Sequence, residues 1–92
     1  MVSLGEINER MARLSGWVIE GNSIVKQIDL LDFREAIWFI NKIAEIAEKE
    51  NHHPDLYLSY NVLKIMLKTH SSDTITEKDF AVAEKIDQIN IE

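Results

Sequence analysis

One stretch constrains this chain's fold more than any other. From Phe33 to Ala47 apolar residues recur every three or four positions, as Phe33, Ala36, Ile37, Ile40, Ile43, Ala44 and Ala47. That spacing lines one face of an α-helix. Phe39 and Ile46 widen the stripe, while Trp38 falls among polar neighbours on the far side. Asp29 or Asp32 is placed to cap the first turn, so the helix is predicted from about Leu30 to Glu50. Its end is marked more sharply. The run Glu48-Lys49-Glu50-Asn51-His52-His53-Pro54 closes with a proline, which lacks the N–H that a continuing helix requires.

Such a helix needs an apolar surface to lie on, and strand patterns flank it on both sides. Trp17-Val18-Ile19-Glu20 and Ile24-Val25-Lys26-Gln27-Ile28 are rich in β-branched and aromatic residues, and Gly21-Asn22-Ser23 between them suits a hairpin turn. After the proline, Leu56 to Tyr60 reads as a short strand and Val62 to Thr69 as a longer one. Leu63, Ile65 and Leu67 fall on one face of it, with Val62, Lys64, Met66 and Lys68 on the other. If that alternation continues, His70 lies on the second, wetter face. Two shorter helices complete the order. Ser3 and Glu6 have capping-box spacing ahead of Leu4, Ile7, Met11 and Leu14, a helix closing near Ser15-Gly16. Past the loop Ser71-Ser72-Asp73, Thr76 and Asp79 repeat that spacing ahead of Phe80, Ala83, Ile86 and Ile89. The expected fold is α+β, a two-layer sandwich of order α-β-β-α-β-β-α. A four-stranded antiparallel sheet carries the helices on one face. With 92 residues, one domain spans 1–92.

Charge and composition remove several function classes. Sixteen acidic against ten basic residues give a net charge of −6, a surface that repels phosphate backbones and argues against nucleic-acid binding. No cysteine is present, so disulfides and thiolate zinc sites are excluded. No run spans a bilayer, and the first residues lack the basic and apolar regions of a signal peptide, so a cytoplasmic setting is expected. A helix lying on a sheet needs an apolar arc of roughly a third of its circumference, whereas the central stripe takes up about half. The surplus predicts either self-association or coverage by the first helix or a terminus.

The residues able to move protons are few and gathered. His52, His53 and His70 are the only histidines, and no other side chain here has an unperturbed pKa near neutrality. Glu48, four residues before His52, is expected on nearly the same helical face. Tyr60 and Asn61 head the long strand, and Asp79 sits in the first turn of the last helix, so a fold can bring these element ends to one rim. Plain structural explanations exist beside the chemical ones. A histidine cation interacts favourably with a helix C-terminus, a capping carboxylate accounts for Asp79, and a tryptophan opening a strand serves a core.

The spacing Glu48-xxx-His52-His53-Pro54, five residues, Tyr60, nine residues, His70, eight residues, Asp79 resembles the pterin-4a-carbinolamine dehydratase family. The likeness extends through Trp17, Glu20-Gly21, Lys26-Gln27, Asp32-Phe33, Ala47-Glu48-Lys49, Tyr60-Asn61 and Thr69-His70, covering roughly Trp17 to Ile89. Several fixed spacings at once are a specific signal. The resemblance implies an enzyme that eliminates water from 4a-hydroxytetrahydropterins, with His52 and His70 as acid and base. It makes His53 a substrate-positioning residue that shares the role. It implies that Glu48 orients a histidine, and that Asp79 does the same for His70 or binds the pterin's amino and amide edge. Backbone contacts to substrate are implied around Asn51 to His53 and from Lys68 through Thr69 to Ser71. Trp17 is a candidate to stack on the pterin. No cofactor or metal is implied, and the partners are a small-molecule pterin and further copies of the chain, as homodimer or homotetramer.

This sequence departs from some relatives at Asn51 and Ser71, where an acid stands in theirs, which bears on substrate preference. Three rival readings remain. The histidines could bind zinc, though the adjacent pair diverges and no HExxH spacing is present. The chain could be a non-catalytic interaction module, as some animal relatives also are toward a homeodomain transcription factor. Or it could serve molybdopterin metabolism, to which microbial relatives are linked.

Overall fold

The structure, a computed structural model, describes residues 2–91. Helix α1 (Leu4–Met11) precedes β1 (Val18–Glu20) and β2 (Ser23–Asp29). Helix α2 (Phe33–Glu50) follows, then β3 (Asp55–Ser59), β4 (Val62–Leu67) and α3 (Glu77–Asp87). The sheet runs in the order β1-β2-β4-β3 with every neighbouring pair antiparallel. Both hairpins use two-residue turns. In the first, Gly21 takes φ +58°, and a residue with no Cβ adopts that region at little cost. In the second, Tyr60 takes φ 53°, and Asn61 beside it donates its side-chain amide to the Leu30 carbonyl while Leu30 N donates to Asn61 O. That clasp ties the β3–β4 turn to the segment entering α2.

The alternation expected for β4 holds. Leu63, Ile65 and Leu67 are fully buried and pair in register with Leu58, Leu56 and, from β2, Ile28, Lys26 and Ile24. Burying each large aliphatic side chain contributes about 1.5–3 kcal/mol. Helix α2 presents Ala36, Phe39, Ile43 and Ala47 to this layer, and α3 adds Phe80, Val82, Ala83 and Ile86.

Two expectations change. The helix starts at Phe33 rather than near Leu30, because Asp32 caps it by accepting from Glu35 N at 2.8 Å, which leaves Leu30 buried ahead of the first turn. The buried face of α2 is also narrower than the apolar stripe. Phe39 lies at its centre, whereas Phe33, Ile37 and Ala44 stay exposed alongside Trp38. The first helix does not cover them. Arg10 of α1 instead pairs with Glu84 of α3 at 2.9 Å and lies 5.3 Å from the Phe80 ring centroid.

One carboxylate pins the entry of the sheet. Asp87, at the end of α3, accepts from the Trp17 indole N–H (2.9 Å), Lys26 Nζ (2.8 Å) and Ser15 N (2.9 Å). Asp87→Ala leaves the buried indole N–H and Lys26 without their acceptor, and we expect it to cost about 2 kcal/mol. Urea unfolding would read this as a lower midpoint at unchanged slope.

Candidate active site

Glu48, His52, His53 and Asp79 meet where α2 ends and α3 begins, with Thr69 just past β4, whereas Tyr60 and Asn61 lie in the β3–β4 turn at the other end of β4; the local geometry explains the grouping. Asn51 adopts a left-handed conformation (φ 51°) just past α2, with its N–H on Glu48 O and the next N–H, of His52, on Ala47 O. This is a Schellman closure, and asparagine tolerates it better than most residues. It swings the chain off the helix axis, so the four-residue spacing between Glu48 and His52 no longer places them side by side. His52 turns toward α3 instead. Its Nε2 lies 2.6 Å from Asp79 Oδ1, and Glu48 meets His53 Nε2 at 2.5 Å.

The two histidine pairs differ in setting. Asp79 is completely buried and the His52 side chain is 12% exposed. His53 and Glu48 are 55% and 78% exposed, an open pair in which the carboxylate orients an imidazole at the surface. The other oxygen of Asp79 is enclosed too, since Oδ2 accepts from Thr76 N at 2.8 Å and from the Thr69 hydroxyl at 2.9 Å. The expectation that Asp79 orients His70 or binds a pterin edge therefore changes. The carboxyl faces His52, and its burial keeps it from any ligand.

His70 stands in a tight turn rather than on a strand. Strand β4 ends at Leu67, and Thr69 pairs with Thr74 through an isolated bridge that folds His70 to Asp73 into the connecting loop. Its side chain is exposed. It joins the group through the backbone, one residue beyond Thr69, which touches the carboxyl that holds His52. Lys68 and Asp73 brace this loop at 2.9 Å. Asp73 is held below its ordinary 3.8, first by the hydrogen bond from Lys68 and then by its charge, and Lys68 is raised above 10.5 by the same pair of causes. A depressed acid contributes above its unfolded value and loses that contribution as pH falls through the folded one; a raised base does the reverse. The brace thus holds across the whole range between 3.8 and 10.5. In Asp73→Asn we expect the Lys68 titration midpoint, followed by NMR, to fall back toward 10.5.

Trp17 does not join the site. It is 7% exposed and bound to Asp87, eight residues beyond Asp79 on α3 and hence about 12 Å along that helix. Ser71 is exposed on the His70 loop and lines, with Thr69, Ser72, Thr76 and Lys78, a cleft of about 470 Å³. Two further clefts, of about 450 and 520 Å³, flank the start of α2. None of these three clefts is lined by a histidine. The sequence pattern marks Thr76 only as a helix cap. The capping-box spacing could have signalled its N–H on Asp79, but nothing local signalled the hydroxyl contact with Thr69 across the loop.

Comparison with known proteins gives one answer. A family model described as pterin 4 alpha carbinolamine dehydratase matches residues 2–89. A protein of Trichormus variabilis, named as a candidate pterin-4-alpha-carbinolamine dehydratase, is 47% identical over 85 residues, covering 92% of this chain and 91% of its own. A Sulfurisphaera tokodaii protein of the same name is 42% identical over 84 residues, covering 91% of this chain and 90% of its own. Among solved structures, a transcriptional coactivator/pterin dehydratase from Brucella melitensis superposes with a TM-score of 0.86 at 34% identity, over 92% of this chain and 93% of that one. A pterin dehydratase-like protein described as a RuBisCO assembly factor in the alpha-carboxysome shares the fold, with a TM-score of 0.67 at 18% identity over 82% of this chain and 89% of that one. With the histidines, their spacing and the sheet order all in agreement, the chain belongs to the pterin 4 alpha carbinolamine dehydratase family.

Proposed function

We propose that this protein eliminates water from a 4a-hydroxytetrahydropterin to give the quinonoid dihydropterin. The observation that carries the reading is the pairing of His52 with the buried carboxyl of Asp79, which also accepts from Thr69, the residue before His70, while His53 follows His52 in the chain. Hydroxide leaves poorly, so a general acid delivers a proton to the 4a oxygen as the C4a–O bond breaks and both bonding electrons leave with oxygen. The N5 lone pair forms the C4a=N5 double bond, and a base removes the proton from N5. One proton is given, one is taken and water departs. The step is redox-neutral and calls for no cofactor, and imidazoles suit both transfers. His52, His53 and His70 carry this exchange. Glu48 orients His53, and the backbone from Asn51 to His53 and from Lys68 through Thr69 to Ser71 borders the substrate.

A second reading has its own observation. Leu31, Phe33, Ile37, Trp38 and Tyr60 are exposed together around the start of α2. Such a patch suits self-association as a homodimer or homotetramer, or an interaction role of the kind named for the Brucella coactivator and the carboxysome assembly factor. The two readings separate in a stopped-flow assay on synthetic 4a-hydroxytetrahydropterin. We expect the protein to accelerate dehydration well above the buffer rate. A folded sample that adds nothing to that rate removes the dehydratase reading and leaves the interaction module.

A further inference from the structure

Behind His52 lies a chain of hydroxyls whose protons can run in only one direction. Thr76 N–H and Thr69 O–H both point at Asp79 Oδ2, at 2.8 and 2.9 Å. A hydroxyl has one hydrogen to donate. With Thr69's hydrogen committed to the carboxyl, the 2.6 Å contact between the Thr69 and Thr76 hydroxyls must be donated by Thr76. Thr76 Oγ1 in turn accepts from Lys78 N at 3.3 Å, at the start of α3. Every oxygen in the chain is then satisfied, and Oδ1 is left facing His52 Nε2 alone. Among the described residues the ring makes no other hydrogen bond, and no buried side-chain nitrogen or oxygen lacks a partner. Nδ1 therefore opens to solvent.

The geometry points to a specific division of labour within the proposed dehydratase site, on which this inference rests. Thr76, Thr69 and Asp79 form a positioning chain that holds His52 as its Nε2–H tautomer, so that Nδ1, on the open side, is the nitrogen that exchanges protons with substrate. Thr69 and Thr76 do not touch substrate through their hydroxyls in this scheme. They keep the carboxyl turned so that it accepts from His52, and the carboxyl keeps the imidazole from rotating or changing tautomer.

The test is nitrogen-15 NMR of the histidine-labelled full chain at alkaline pH, where the imidazoles are neutral and the two tautomers give distinct ring-nitrogen patterns. We expect His52 as the Nε2–H form; the Nδ1–H form in the wild type overturns the assignment. In Asp79→Asn the amide carbonyl must stay on the side of Thr76 N–H and Thr69 O–H. The amide NH₂ then faces Nε2, and the proton should move to Nδ1. A His52 signal that stays Nε2–H in this variant also overturns the scheme. Thr69→Val should lower kcat about tenfold with KM changed less than about twofold, and Thr69→Ser should recover most of the loss. Equal kcat in wild type and Thr69→Val removes Thr69 from the chain. The NMR result does not depend on turnover. A wild type that shows the Nε2–H form but fails to dehydrate the pterin leaves the positioning chain standing and sinks only the dehydratase reading.

Discussion

If the protein acts as the proposed dehydratase, His52→Ala is expected to lower the dehydration rate by about 10²–10³-fold, within the range positioned acid/base groups contribute. The size follows from its setting. Of the three histidines, His52 alone is fixed from behind by a buried partner, so its ring is already oriented when substrate arrives, whereas His70 is exposed on a loop. Orientation of this kind removes reorganisation from the barrier, and its loss falls mainly on kcat rather than KM. His70→Ala should cost at least about tenfold by the same assay, and less than His52→Ala, because an exposed side chain is replaced more readily by water. Stopped-flow measurement of both variants, with far-UV circular dichroism to verify folding, decides the matter. Unchanged rates in both would end the catalytic assignment of these imidazoles.

The elements of this fold were legible in the sequence because their signals are local. The alternation Leu63-Ile65-Leu67 needs only a period of two, and the capping boxes Ser3–Glu6 and Thr76–Asp79 need only a spacing of three; each is present where expected. What a local pattern does not carry is the choice of face. The stripe on α2 contains more apolar residues than the sheet can cover. Whether Phe33 and Ile37 or Phe39 points inward depends on how the helix docks, and the residues buried there are Ala36, Phe39, Ile43 and Ala47. Phe33 and Ile37 were left outside.

The site was legible in its members and less so in its pairings. Glu48 and His52 look like helical neighbours, and would be if α2 continued one more turn. The left-handed Asn51 breaks that register and hands Glu48 to His53. Trp17 misled for the opposite reason. A tryptophan has a polar handle as well as a flat ring, and here the handle found Asp87, from the far end of α3. The link between Thr69 and Thr76 needs the bridge from Thr69 to Thr74, a contact that no periodicity announces. Three separate elements therefore contribute to the environment of one imidazole, and only the assembled chain displays it.

The same convergence makes Asp79 a sensitive position for stability. Asp79→Ala removes the acceptor of Thr76 N–H and Thr69 O–H and the partner of His52, while deleting the carboxylate member of the α3 capping box. Breaking a buried, fully bonded ionic partner costs about 3–5 kcal/mol, because the groups left behind stay desolvated without a partner. A domain of this size has only about 5–15 kcal/mol of stability in all, so the variant should unfold at a distinctly lower urea concentration and warm poorly. Asp79→Asn supplies the control. It keeps the shape and an acceptor for the two threonine donors, so its stability should fall by less than half as much. If Asp79→Ala unfolded like the wild type, the carboxyl would have to be dispensable to the fold, and His52 would need some other support for its orientation.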